Sequence, residues 1–188
     1  MKAPEIFTES QICVIKWAES QEVHRNTQRR FKVVNSNDAN RMFQSAGQAA
    51  QIHFNDRIIR PEYLLFAMVD HPDRTGVAFQ VLGEFGVDVG QFKTSLIEFI
   101  RNHKVVHASA NEPQRWSEEM GRLSKEAEGL AQSWANHNVG TGHYLHCLTR
   151  SPELQRFWKT TGLNLNAVRV RIERLYMPRS EGDAQKSL

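Results

Sequence analysis

Ile59-Arg60-Pro61-Glu62-Tyr63-Leu64-Leu65-Phe66-Ala67-Met68 and Val139-Gly140-Thr141-Gly142-His143-Tyr144-Leu145-His146-Cys147-Leu148 are one pattern written twice. Each stretch starts on an apolar residue, passes through a turn and a polar pair, and ends in an apolar run of helical length. Pro61 suits the first turn of a helix, where its missing N–H would have no partner in any case. An apolar run with so few polar breaks predicts a helix buried on nearly every side.

The segments around the two stretches repeat as well. Before the first, Phe43, Ala46, Gly47, Ala50 and Phe54 recur at spacings of three and four, the period of a helix. The small residues Ala46, Gly47, Ala49 and Ala50 would let another helix come close. Before the second, Met120, Leu123, Ala127, Leu130 and Trp134 carry the same stripe, with Ser117 as its N-cap. After the first stretch a third helix is expected from about Thr75 to Phe85, stopping at Gly86. Asp88 then caps a fourth, with Phe92, Leu96, Phe99 and Ile100 inward. After the second, Ser151-Pro152-Glu153 opens a short third helix that ends at Gly162. Asn164 caps a fourth, with Val168, Ile172 and Leu175 inward. An offset of 80 superposes Val139 on Ile59 and Leu145 on Leu65. An offset of 76 superposes Gly162 on Gly86 and Asn164 on Asp88. The shorter offset places a four-residue difference in the loop after the second helix, where length changes are tolerated.

The expected fold is therefore all-α: two pseudo-twofold-related four-helix repeats packed as one domain, because either alone is too small to bury much surface. The divisions read as an N-terminal helix and linker at 1–36, repeat 1 at 37–102, a linker at 103–115, repeat 2 at 116–177 and a polar, disordered tail at 178–188. The extra N-terminal helix is expected from Thr8 or Ser10 to about Val23, with Ile12, Val14, Ile15, Trp17 and Ala18 on its apolar face.

Composition narrows the function classes. The chain has 188 residues, 40% hydrophobic and 24% charged, with two cysteines and a net charge of +3. That is the make-up of an ordinary globular protein. No apolar run approaches the roughly 20 residues of a membrane-spanning helix, and the first residues lack a secretory signal core. Cys13 and Cys147 form no disulfide framework, so a reducing, cytoplasmic setting is expected. Arg25, Arg29, Arg30 and Lys32 form one basic run, and Arg169, Arg171, Arg174 and Arg179 another. Both are accounted for as solvated surface, with nucleic-acid binding as the alternative.

Three clusters could carry chemistry. His137, His143, His146 and Cys147 invite a zinc reading, but a structural histidine at a helix start and a cysteine in a core position account for them. Cys147 near His143 suggests a nucleophile and base, yet no orienting third residue or oxyanion loop accompanies them. Glu62 follows Pro61 at a helix N-terminus, where a carboxylate is favoured by the helix dipole alone. No catalytic residue, metal or cofactor is expected.

With both stretches and both caps in order, residues 36–177 resemble the double Clp-N motif, the amino-terminal domain of Clp-type AAA+ unfoldases. Its hallmarks are matched by Ile59-x-Pro61-Glu62-Tyr63-Leu64-Leu65 and by Val139-Gly140-Thr141-Gly142-His143. The resemblance implies a non-enzymatic helical platform that binds substrates, adaptors or partner peptides. The chain contains no GxxxxGK[ST] phosphate loop, which implies a stand-alone member or the separated front end of a larger machine. Some family members hold phosphoarginine with a glutamate in each hallmark; here Glu62 fills the first position and Gly142 the second. The second repeat is similar to the type VI secretion branch, whose extra leading helix helps grip a short helix of the contractile sheath. Residues 8–23 would supply that wall. Two peptide-binding surfaces follow as expectations. One is the leading helix, through Ile12, Ile15 and Trp17. The other is the edges of the hallmark helices, through Glu62, Tyr63, His143 and Tyr144.

Overall fold

The computed structural model describes residues 33–70, 76–103 and 112–177. The predicted leading helix, its apolar residues Ile12, Ile15 and Trp17, the first basic run and the polar tail all lie outside them. Eight α-helices and four two-residue strands follow in order among the described residues. Repeat 1 holds β1 (Val34–Asn35), α1 (Asn37–Phe54), β2 (Ile58–Ile59), α2 (Pro61–Asp70), α3 (Val77–Glu84) and α4 (Val89–Asn102). Repeat 2 holds β3 (Arg115–Trp116), α5 (Glu118–Ser133), β4 (Asn138–Val139), α6 (Thr141–Leu148), a 3-10 turn (Pro152–Leu154) running into α7 (Gln155–Thr161), and α8 (Leu165–Tyr176).

The helix limits follow local chemistry. Ser36 and Ser117 accept the amides of Ala39 and Met120, and Asp88 and Asn164 accept those of Gln91 and Ala167. Gly86 and Gly162 have φ of 71° and 67°, a left-handed turn that glycine adopts at least cost. The matching helices are thus α1 with α5, α2 with α6, α3 with α7 and α4 with α8.

The strands carry the symmetry. β1 pairs in parallel with β4, and β2 with β3. Exchanging the repeats turns the first pairing into the second. The amide of Ser36 donates to the carbonyl of Val139, and that of Ser117 to the carbonyl of Ile59, both at 2.9 Å. These ladders are a finding the helical pattern did not foreshadow. Arg115, read as the last linker residue, already belongs to β3.

α2 and α6 form the centre: α2 through an unbroken apolar run, α6 with Thr141, His143 and His146 buried among its apolar residues. Tyr63 to Val69 and Thr141 to Leu148 are buried throughout. Each fully buried leucine there contributes about 1.5–3 kcal/mol. The third helices cross over. α3 lies against α6 and α8 of the other repeat, and the 3-10 turn and α7 lie against α2 and α4. Arg171 on α8 donates to both oxygens of Glu84 on α3, at 2.6 and 3.0 Å. Phe92 on α4 meets Phe157 edge-on at 5.0 Å and Trp158 at 5.9 Å. The Trp158 indole N–H donates to the carbonyl of Leu148, so this large side chain is buried without an unmet donor. The space above Gly47 on α1 is taken by a loop side chain, Gln114, whose amide donates to the Gly47 carbonyl. No described helix is long and apolar enough to cross a membrane.

Candidate functional site

The two helix starts related by the pseudo-twofold differ sharply, and one of them is open. At the start of α2 lies a cleft of about 720 Å³. Repeat 1 supplies one side, with Ile58, Arg60, Pro61 and Glu62 before and on α2, and Phe99 and His103 at the end of α4. Repeat 2 supplies the other, with Arg115, Trp116 and the start of α5, then Pro152, Glu153 and Arg156. The β2–β3 ladder holds the two sides together.

Trp116 is 46% exposed, a rare state for a tryptophan, and its ring stacks on Phe43 at 5.0 Å. The stack fixes the indole while leaving one face to the cleft. Burial pushes the Glu62 carboxyl above the usual range; the Glu62 backbone amide and the Arg60 guanidinium pull the other way. Glu119 is held below the usual range by its own backbone amide and by the Ser117 hydroxyl. Glu153 accepts the Ser151 hydroxyl at 2.5 Å and stands 3.7 Å from Arg122. The cleft therefore presents a fixed aromatic face, carboxylates of unequal basicity, and guanidinium groups.

The counterpart at the start of α6 is filled from within. Tyr176, at the end of α8, lays its ring 4.0 Å from the His143 ring and 5.9 Å from that of Trp134. Burial raises its phenol above the ordinary range. A Cβ on Gly140 would stand 2.5 Å from the Tyr176 hydroxyl oxygen, and one on Gly142 would stand 2.5 Å from its ring. Glycine at both positions is what lets the ring sit there.

The expected surface residues fall into place unequally. Glu62 lines the open cleft. Tyr63 is 1% exposed, and its hydroxyl donates to Asp56 at 2.8 Å. Tyr144 is fully buried and donates to Asn35 at 2.8 Å. His143 is fully buried, and its Nδ1 accepts the Gly140 amide at 3.0 Å. All three are packed inside the helix starts and not displayed on an open edge. The sequence pattern does not single out Trp116, Arg115, Glu153 or Arg156. An apolar Trp116 just before the Ser117 cap, inside a polar stretch, is the one signal it contains.

The other clusters come apart. Among the described residues no three His, Cys, Asp or Glu side chains are arranged to hold a metal ion. Burial drives His143 down to about 4 and the Cys147 thiol up to about 12, so neither is poised as base or nucleophile near neutrality. On α8, Arg171 is engaged by Glu84.

Residues 32–176 match the family model for the Clp repeat (R) N-terminal domain. Among curated proteins, no sequence matches the chain. Solved structures share its fold. The Hsp104 N-terminal domain from Candida albicans is 16% identical with a TM-score of 0.63, over 76% of this chain and 91% of that one. The N-terminal domain of the ClpV1 ATPase from the E. coli EAEC Sci1 type VI secretion system is 20% identical with a TM-score of 0.58, over 85% and 98%. A chain from a structure described as "Peptide from EAEC T6SS Sci1 SciI protein" is 19% identical with a TM-score of 0.56, over 78% and 94%.

Proposed function

As the chain belongs to the Clp repeat (R) N-terminal domain family, we propose that it is a non-enzymatic peptide-binding module that recognises substrates or adaptors for a Clp-type AAA+ unfoldase. The observation that carries this reading is the open cleft between the repeats, with Trp116 and Glu62 on its walls. Aromatic anchors in such clefts supply most of the affinity, and charged rims supply selectivity. Selection of a random peptide library on the full-length chain tests it. Selected peptides bind the wild type, and Trp116→Ala weakens them by tenfold or more, while Arg174→Ala on the exposed face of α8 leaves them unchanged. Peptides that bind Trp116→Ala and Glu62→Gln as well as the wild type would refute the cleft as the binding site.

A second reading makes the occupant a short sheath-type helix, as in type VI secretion. It is favoured by the ClpV1 N-terminal domain, 98% of which is covered by this chain. On this reading Ile12, Ile15 and Trp17 form one wall of a helix groove. Deleting residues 1–30 abolishes capture of an amphipathic helical peptide in that case. Equal capture with and without them discards the leading helix as a wall.

A further inference from the structure

We propose that the start of α6 is a second ligand site, shaped for a phenol, and that Tyr176 is its resident occupant. The site is built as a negative of that side chain. Gly140 and Gly142 leave the space, and Val77 from the opposite repeat bounds it, 2.9 Å from where a Gly142 Cβ would be. Trp134 and His143 supply the aromatic walls, and the hydroxyl lies against Gly140 and Gly142. A further mark of a ligand site is His143 Nε2, buried beside the ring without a hydrogen-bond partner. With Nδ1 accepting the Gly140 amide, Nε2 carries the proton, a donor that the native arrangement leaves unused.

In the first repeat the equivalent positions are Arg60 and Glu62, and the offset of 76 puts Ile100 where α8 has Tyr176. There the rings of Phe99, His103 and Trp116 line the helix start without filling it, and the cleft is open. The two ends thus have different rules of access. A partner's tyrosine enters the second site only by displacing the final turn of α8. That turn is tied by the Asn136 amide on the Tyr176 carbonyl at 3.3 Å and the Met177 amide on the Glu173 carbonyl at 2.8 Å. The site's apparent affinity falls by the fraction of molecules in which Tyr176 is out. The proposal rests on the geometry of α6 and does not depend on what occupies the first cleft.

The test uses the full chain, wild type and Tyr176→Ala, titrated with p-cresol and with toluene by calorimetry. The variant is expected to bind p-cresol at least tenfold more tightly than the wild type does, and toluene more weakly than p-cresol. Adding Gly142→Ala to the variant is expected to remove the binding, because the new Cβ fills the ring's place. Equal response of variant and wild type, equal binding of toluene, or binding that survives Gly142→Ala overturns the proposal. If Tyr176→Ala does not fold alone, its refolding by p-cresol and not by toluene supports the proposal equally well, and failure of p-cresol to restore it overturns the proposal.

Discussion

His143 shows how one residue can be essential to the architecture and silent in chemistry. It closes the start of α6 by accepting the Gly140 amide, and its ring lies tilted against those of Trp134 and Tyr176. An imidazole in an unfolded chain titrates near 6.5, and burial takes this one to about 4. Between those values the unfolded chain binds more protons than the folded one. The stability tied to neutral His143 is therefore complete above pH 6.5 and is lost as the pH falls toward 4. At about 1.4 kcal/mol per unit, the loss between pH 7 and pH 5 is up to about 2 kcal/mol. His146, lowered chiefly by burial, acts in the same sense, and Glu62, raised by burial, acts in the opposite sense. Both are common to the wild type and a His143→Asn variant, so the difference between their urea midpoints at pH 7 and pH 5 isolates His143. The variant should lose less stability on acidification; equal losses would show that His143 does not titrate as described.

Among the elements, α4 and α8 make a natural pair for comparison, since Asp88 and Asn164 cap them in the same way. Replacing either by alanine should cost about 0.5–2 kcal/mol, read as a shift in denaturant midpoint, because an amide at the helix start loses its acceptor. Unequal values would mean that one helix end draws support from elsewhere. These caps were legible in the sequence, as were the turns at Gly86 and Gly162, because each involves residues three or four apart. The apolar centre of α2 was legible for a similar reason, being a continuous run, whereas the burial of His143 and His146 in α6 was not. The strands were not. Two residues are too few to show an alternating period, and each ladder joins segments 57 or 104 positions apart, as Ile58 to Arg115 and Val34 to Asn138 show. The placement of Tyr176 against Gly142 was equally hidden, since no local pattern links the end of one helix to the start of another. For the candidate cleft, the sequence pointed to Glu62 through the family resemblance of the first hallmark, but not to Trp116, whose partner Phe43 lies in the other repeat.

At the scale of the whole molecule, the crossing of the third helices decides how the protein unfolds. Phe92 anchors α4 of the first repeat on Phe157 and Trp158 of the second. Phe92→Ala should cost about 3–5 kcal/mol, the usual loss for a large buried ring. Both repeats should still melt in one transition, with tryptophan fluorescence and far-ultraviolet circular dichroism coinciding. Two separate transitions would show that the repeats are independent units. The same crossing has a consequence for ancestry. A lone repeat would hold a third helix that finds most of its seat on a second molecule, so its folding would depend on how much of it was present. Joining two such copies end to end frees folding from protein concentration. It also allows the twin helix starts to diverge, which identical subunits in a symmetric dimer could not do.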